Sequence, residues 1–83
     1  MFHSFVSIQH LRTKKYLSVS NGSVILKDFM DQESCVFGLW KRQGDIFGLQ
    51  NRFNRRWVGQ SMLGNLECNA TSFGRRQEWE VSH

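Results

Sequence analysis

The chain of 83 residues contains no proline, a single tyrosine and only two cysteines, Cys35 and Cys68. Without CxxC spacing or histidines nearby, those cysteines are too few for a disulfide scaffold and do not form a zinc site. A bridge between them remains open only for a secreted chain. No apolar run reaches 18 residues, which excludes a membrane-spanning helix. The opening segment "MFHSFVSIQHLRTKK" has no basic stretch followed by a long apolar one, so no secretory leader is expected and the expected compartment is cytoplasmic. In that setting "NGS" at Asn21 and "NAT" at Asn69, which match the glycosylation acceptor pattern, read as turn residues.

Catalytic signatures are missing as well. His3, His10 and His83 are scattered and show no HxxxH spacing, and no GxSxG, P-loop or GxGxxG occurs. Glu78 and Glu80 flank Trp79 and share one face of a strand, which reads as the solvent face rather than a carboxylate pair. Asp28, Asp31 and Glu33 cluster without the spacing or glycine of a calcium loop, and read as a solvated turn. The sequence therefore predicts no enzyme, no metal and no cofactor.

What the chain does contain is a repeat. "VSIQHLRTKKYLSVS" from Val6 returns about 41 residues later as "FGLQNRFNRRWVGQS" from Phe47. Ile8 matches Leu49, Gln9 matches Gln50, Lys14 and Lys15 match Arg55 and Arg56, and Tyr16 matches Trp57. One residue further out of step, Val24 matches Leu66, Leu26 matches Cys68, Phe37 matches Trp79 and Leu39 matches Val81. Within each copy apolar residues alternate over four to six positions, which predicts half-buried strands rather than helices. Eight such runs are present, and "SNGS" at 20–23 and "LGN" at 63–65 supply hairpin turns. The prediction is one all-β domain spanning 1–83, with repeat 1 at about 5–42 and repeat 2 at about 45–83. A chain this short buries roughly 60–65% of its unfolded surface. Cys68, standing where repeat 1 has Leu26, is expected to be a small buried hydrophobe.

Each copy, with "KYL" or "RWV" on a hairpin, a Gly turn at Gly22 or Gly64, and a closing aromatic-x-aliphatic strand, resembles one unit of a β-trefoil. Among trefoils it is most similar to the fascin-like (actin-crosslinking) family, and the resemblance covers nearly the whole chain. That family uses three such units, whereas this sequence supplies two. The resemblance therefore implies unpaired strand edges and an uncovered apolar side. Self-association into a homo-oligomer or a longer three-repeat parent is favoured over closure of the eight strands into a smaller barrel.

A net charge of +4 and a pI near 9.6 favour anionic partners. Pseudo-symmetry is expected to bring the loops carrying Lys14, Lys15, Arg55 and Arg56 to one end, with Arg12 and Arg52 beside them, as a basic rim interleaved with Tyr16, Phe53 and Trp57. Fascin-like activity would make an acidic protein surface such as actin the partner of that rim. A second expectation is a carbohydrate-binding (lectin-like) trefoil taking a glycan on Trp57, Gln60 and Asn51, since "QEW" at Gln77–Trp79 is similar to the Q-x-W signature of ricin-type lectins. A third is nucleic-acid or anionic-lipid binding through the same rim, its aromatics stacking on bases.

Overall fold

The computed structural model describes residues 1–80. Eight strands are formed: β1 (Phe2–Val6), β2 (Tyr16–Ser20), β3 (Ser23–Lys27), β4 (Phe37–Lys41), β5 (Ile46–Asn51), β6 (Trp57–Gln60), β7 (Leu66–Ala70) and β8 (Trp79–Glu80). All but the first follow the alternating runs; β1 lies earlier than the run over Phe5–Gln9, and Ile8 is outside it. Val81, matched to Leu39 in the repeat, lies outside the described residues, as does His83. A single 3-10 turn (Arg75–Gln77) occupies the second long connection. All eight strands join one antiparallel sheet in the order β1-β4-β5-β6-β7-β3-β2, with β8 off this path and paired with Ile46 and Phe47 of β5.

Pairing repeats with the sequence. β1–β4 corresponds to β5–β8, and the hairpin β2–β3 corresponds to β6–β7. The first hairpin turns on Asn21 and Gly22, at φ 50° and 80°, inside the pair Ser20–Ser23. Positive φ at both central residues matches the twist of the flanking strands, and Asn-Gly reaches it with least steric cost. Strand pairing joins the copies at two places: β4 pairs β5 along its length, and the tip of the first hairpin meets β7 through Ser23–Glu67 and Cys68 N–H to the Gly22 carbonyl at 2.8 Å.

The core is Phe37, Val58 and Cys68, with Val6, Leu17, Val19, Val24 and Leu49 packed around it. Matched positions in the two copies are not equally buried. Phe37 is fully buried while its counterpart Trp79 is 37% exposed, and Cys68 is fully buried while Leu26 is 47% exposed. Phe37 and Cys68 face the junction between the copies. Trp79 and Leu26 face the two outer flanks, where each copy has no neighbour. The expectation of Leu26 and Trp79 as core residues is corrected on that ground: among the described residues these two are only partly covered. Leu11 is exposed beside Leu26, Leu66 is exposed beside Trp79, and Met62 and Leu63 are exposed in the turn between β6 and β7. The two cysteines are buried free thiols, and burial raises the Cys68 pKa to about 11.

The connection between β3 and β4 is held from within. Asp31 accepts hydrogen bonds from Lys27 Nζ at 2.5 Å, the Ser34 amide at 2.5 Å and the Ser34 hydroxyl at 2.6 Å. The Ser34 hydroxyl in turn accepts from the buried Ser18 at 2.7 Å. The Lys27 hydrogen bond, then those from Ser34, hold the Asp31 carboxyl far below the usual carboxylate range. A depressed folded-state pKa stabilises the fold above the unfolded-state value near 3.9, and that contribution is lost as pH falls towards the folded value. Asp31→Asn is therefore expected to lower the urea midpoint at pH 7, with the gap to the parent chain narrowing below about pH 4. An equal gap at pH 7 and pH 2.5 would mean that the carboxylate's charge contributes nothing.

Candidate functional site

The loops between the first and second strands of each copy share one backbone design. In repeat 1 the His10 amide donates to the Lys15 carbonyl and the Lys14 amide to the His10 carbonyl, both at 2.8 Å. In repeat 2 the Asn51 amide donates to the Arg56 carbonyl and the Arg55 amide to the Asn51 carbonyl, both at 2.9 Å. Gln9 and Gln50 close the loops from the side, their Nε2 atoms donating to the carbonyls of Lys14 (2.9 Å) and Arg55 (3.0 Å). Lys14 and Arg55 sit at φ 63° and 62°. Left-handed backbone is unfavourable for a residue with a Cβ, and such strain persists only where the surroundings enforce it. Two basic residues held this way at matched positions make these loops the first place to look for function.

Burial divides the residues proposed for the site. Arg12, Lys14, Lys15, Arg52, Arg55 and Arg56 are exposed. Lys15 lies 3.7 Å from Asp28, an exposed pair of little energetic weight, and Arg56 Nη1 donates to the Asn69 carbonyl at 3.4 Å. Trp57 is buried, stacked on Phe73 with ring centres 4.7 Å apart. It packs the fold and does not project from a rim. Asn51 is 1% exposed: its Nδ2 donates to the Ser34 carbonyl at 3.0 Å, and its Oδ1 accepts from the amides of Phe53 and Asn54, both at 3.1 Å. A shallow sugar pocket drawn from Trp57, Gln60 and Asn51 is therefore not available as such, since only Gln60 of the three is exposed.

A second feature escaped the alternating pattern. On the sheet face opposite the core, Phe5, Phe2, Trp40, Trp57 and Phe73 form a continuous aromatic ladder, with successive ring centres 5.0, 5.4, 5.8 and 4.7 Å apart. Glycines make room for it. A Cβ on Gly38 would lie 3.2 Å from Trp40 Nε1 and 3.3 Å from the Phe2 ring, and one on Gly48 would meet Phe73 at 2.5 Å. An arginine caps each end: the Arg42 guanidinium lies 3.8 Å from the Phe73 ring centre and that of Arg52 lies 4.8 Å from Phe5. The two ends differ in charge balance. Arg42 is neutralised by Glu78 at 2.8 Å and also donates to the Phe73 carbonyl. At the other end Arg52 and Arg55 open with Phe2, Phe5, Gly38 and Trp40 onto a cleft of about 420 Å³.

Trp40 lines that cleft, but its Nε1 is buried and has no hydrogen-bond partner, a deficit worth about 1–3 kcal/mol. The sequence does hold a partial signal for this face: Phe5 and Trp40 occupy positions between the core-facing residues, whereas Phe2, in step with Val6, reaches the side of Trp40 only through the register shift between Phe2 and Ser4. Among the described residues no helix is long and apolar enough to cross a membrane. Among them, too, no three His, Cys, Asp or Glu side chains are grouped to share a metal ion. No protein-family model matches the chain, and no curated protein sequence matches it.

Proposed function

We propose that the chain is a non-catalytic binding module of fascin-like β-trefoil type, which engages an acidic protein surface such as actin through Lys14, Lys15, Arg55 and Arg56. The observation that carries this reading is the shared construction of the two loops, with the same backbone hydrogen bonds and the same positive φ at Lys14 and Arg55. A loop that merely solubilises the surface has no need of a strained, doubly braced conformation. Electrostatic complementarity of this kind acts mainly on association rate and partner choice, and weakens with salt.

The same reading includes self-association. β1 pairs only β4 and β8 pairs only β5, which leaves one edge of each unpaired among the described strands. Beside the first copy, Ile8, Leu11, Leu17 and Leu26 line an apolar cleft of about 370 Å³. In repeat 2 the residue matching Leu11 is Arg52, which rests on Phe5 of the first copy. Leu11 has no such neighbour. A second chain placed against these flanks would cover them and give the assembly more than one binding surface.

Actin co-sedimentation tests the reading directly. The parent chain is expected to pellet with filaments, and the fourfold reversal K14E/K15E/R55E/R56E to remain in the supernatant. Unchanged pelleting of the reversed chain would remove the loops from the account. Light scattering is expected to give a mass above the 9.8 kDa of one chain. A monomer at all concentrations would overturn the self-association.

A further inference from the structure

We propose that the cleft between Phe2, Phe5, Trp40 and the loop carrying Arg52 and Arg55 is a nucleotide site, taking a base against the phenyl rings and a phosphate on the two guanidinium groups. This site shares Arg55 with the protein contact proposed above but does not depend on that reading. Three observations select the ligand class. The first is the chemistry of the lining. The side chains that line the cleft are aromatic rings and two guanidinium groups, while Gly38 contributes only backbone. All their polar atoms are donors. A neutral sugar would bring hydroxyl donors to a surface whose side chains cannot accept them. A ligand carrying its own acceptors and a flat apolar face suits it, as a nucleotide does.

The second observation is charge. Arg52 and Arg55 belong to none of the ion pairs among the described residues, and the first rests its guanidinium on Phe5. The other end of the ladder provides a comparison within the same molecule. There the same arginine-on-phenylalanine arrangement is closed by Glu78. Paired guanidinium groups without a carboxylate match the oxygens of a phosphate. The third observation is exposure of the rings. Phe2 and Phe5 are exposed although their neighbours Trp40 and Trp57 are largely covered, so the ladder ends in free aromatic surface at the charged end. A cleft of about 420 Å³ is large enough for one nucleotide and too small for a folded partner.

The nucleotide has two possible sources, a free mononucleotide or one residue of a single strand. Stacking needs an open base face, which a duplex does not offer. The test titrates the purified chain with thymidine monophosphate, with a 12-residue oligothymidylate, with a duplex of the same length and with phenyl phosphate. Tryptophan emission reports on the first and last, and anisotropy of end-labelled DNA on the others. The expected result is binding of the single strand at least tenfold tighter than the duplex, or saturable binding of the mononucleotide alone. The first outcome assigns the strand as the source, the second the free nucleotide. Phe5→Leu, which keeps the apolar contact and removes the ring, and Arg52→Gln are each expected to weaken binding about tenfold with melting temperature unchanged. Lys14→Gln/Lys15→Gln, in the other loop, is expected to weaken it less than threefold. Equal affinity for duplex and single strand would overturn the proposal, as would full binding by Phe5→Leu. Phenyl phosphate binding as tightly as the mononucleotide would overturn the nucleotide class.

Discussion

Phe37→Ala is expected to lower the stability of the fold by about 3–5 kcal/mol, and Trp79→Ala by less than half as much, although the tryptophan is the larger ring. The two occupy matched positions in the repeat, so strand type and core-facing register are held constant. What differs is cover. Phe37 is fully buried against Val58, Cys68 and the strands of both copies, and truncation would leave a cavity with no route to collapse. Trp79 is 37% exposed, and beyond its hydrogen bond from Nε1 to the Val58 carbonyl at 3.0 Å it faces an open flank. A domain of this length has about 4–12 kcal/mol in total, so Phe37→Ala is expected to leave the chain marginally folded at 25 °C. Urea denaturation at low protein concentration measures both. Equal losses would show that the flank at Trp79 is covered after all. Repeating the Trp79→Ala measurement at high concentration ties the result to self-association: a chain that pairs over this flank loses more stability from the substitution there, by mass action.

This comparison also marks how far the sequence reaches. Period-two alternation finds the number of strands and places β2 to β8 because each is short and apolar at alternate residues, but it puts the first at Phe5–Gln9, whereas β1 is Phe2–Val6 and Ile8 lies outside it. The matched loops were legible for a related reason. Lys14–Lys15 and Arg55–Arg56 recur at one place in the repeat, and the backbone bonds recur with them. Alternation, however, names only one buried face per strand. Phe5 and Trp40 fall on the positions it assigns to solvent, Phe2 joins them only through the register shift in β1, and their ladder with Trp57 and Phe73 depends on neighbours from β1, β4, β6 and the connection before the 3-10 turn. Residues that distant in sequence show no joint pattern. Burial that differs between copies was equally out of reach, because Leu26 and Cys68 read alike until the sheet shows which of them has a neighbour.

Asn51→Ala is expected to lower stability by about 2–4 kcal/mol, and His10→Ala, at the matched position, by less than about 1 kcal/mol. Both side chains brace the same loop. His10 Nδ1 accepts from the Thr13 amide at 3.2 Å, as Asn51 Oδ1 accepts from the Asn54 amide at 3.1 Å. His10 does this at the surface, where water replaces the lost acceptor. Asn51 does it from a buried position and also donates to the Ser34 carbonyl, which ties the second loop to the Asp31 network of the first copy. Truncation leaves that carbonyl unpaired and frees Arg52 and Arg55 from the loop that holds them. Urea midpoints give the two energies, and amide exchange at Phe53 and Asn54 shows whether the loop opens locally or with the whole fold. A loss at His10 as large as that at Asn51 would place the energy in the loop's own turn bonds. The buried link to Ser34 would then contribute little to joining the two copies.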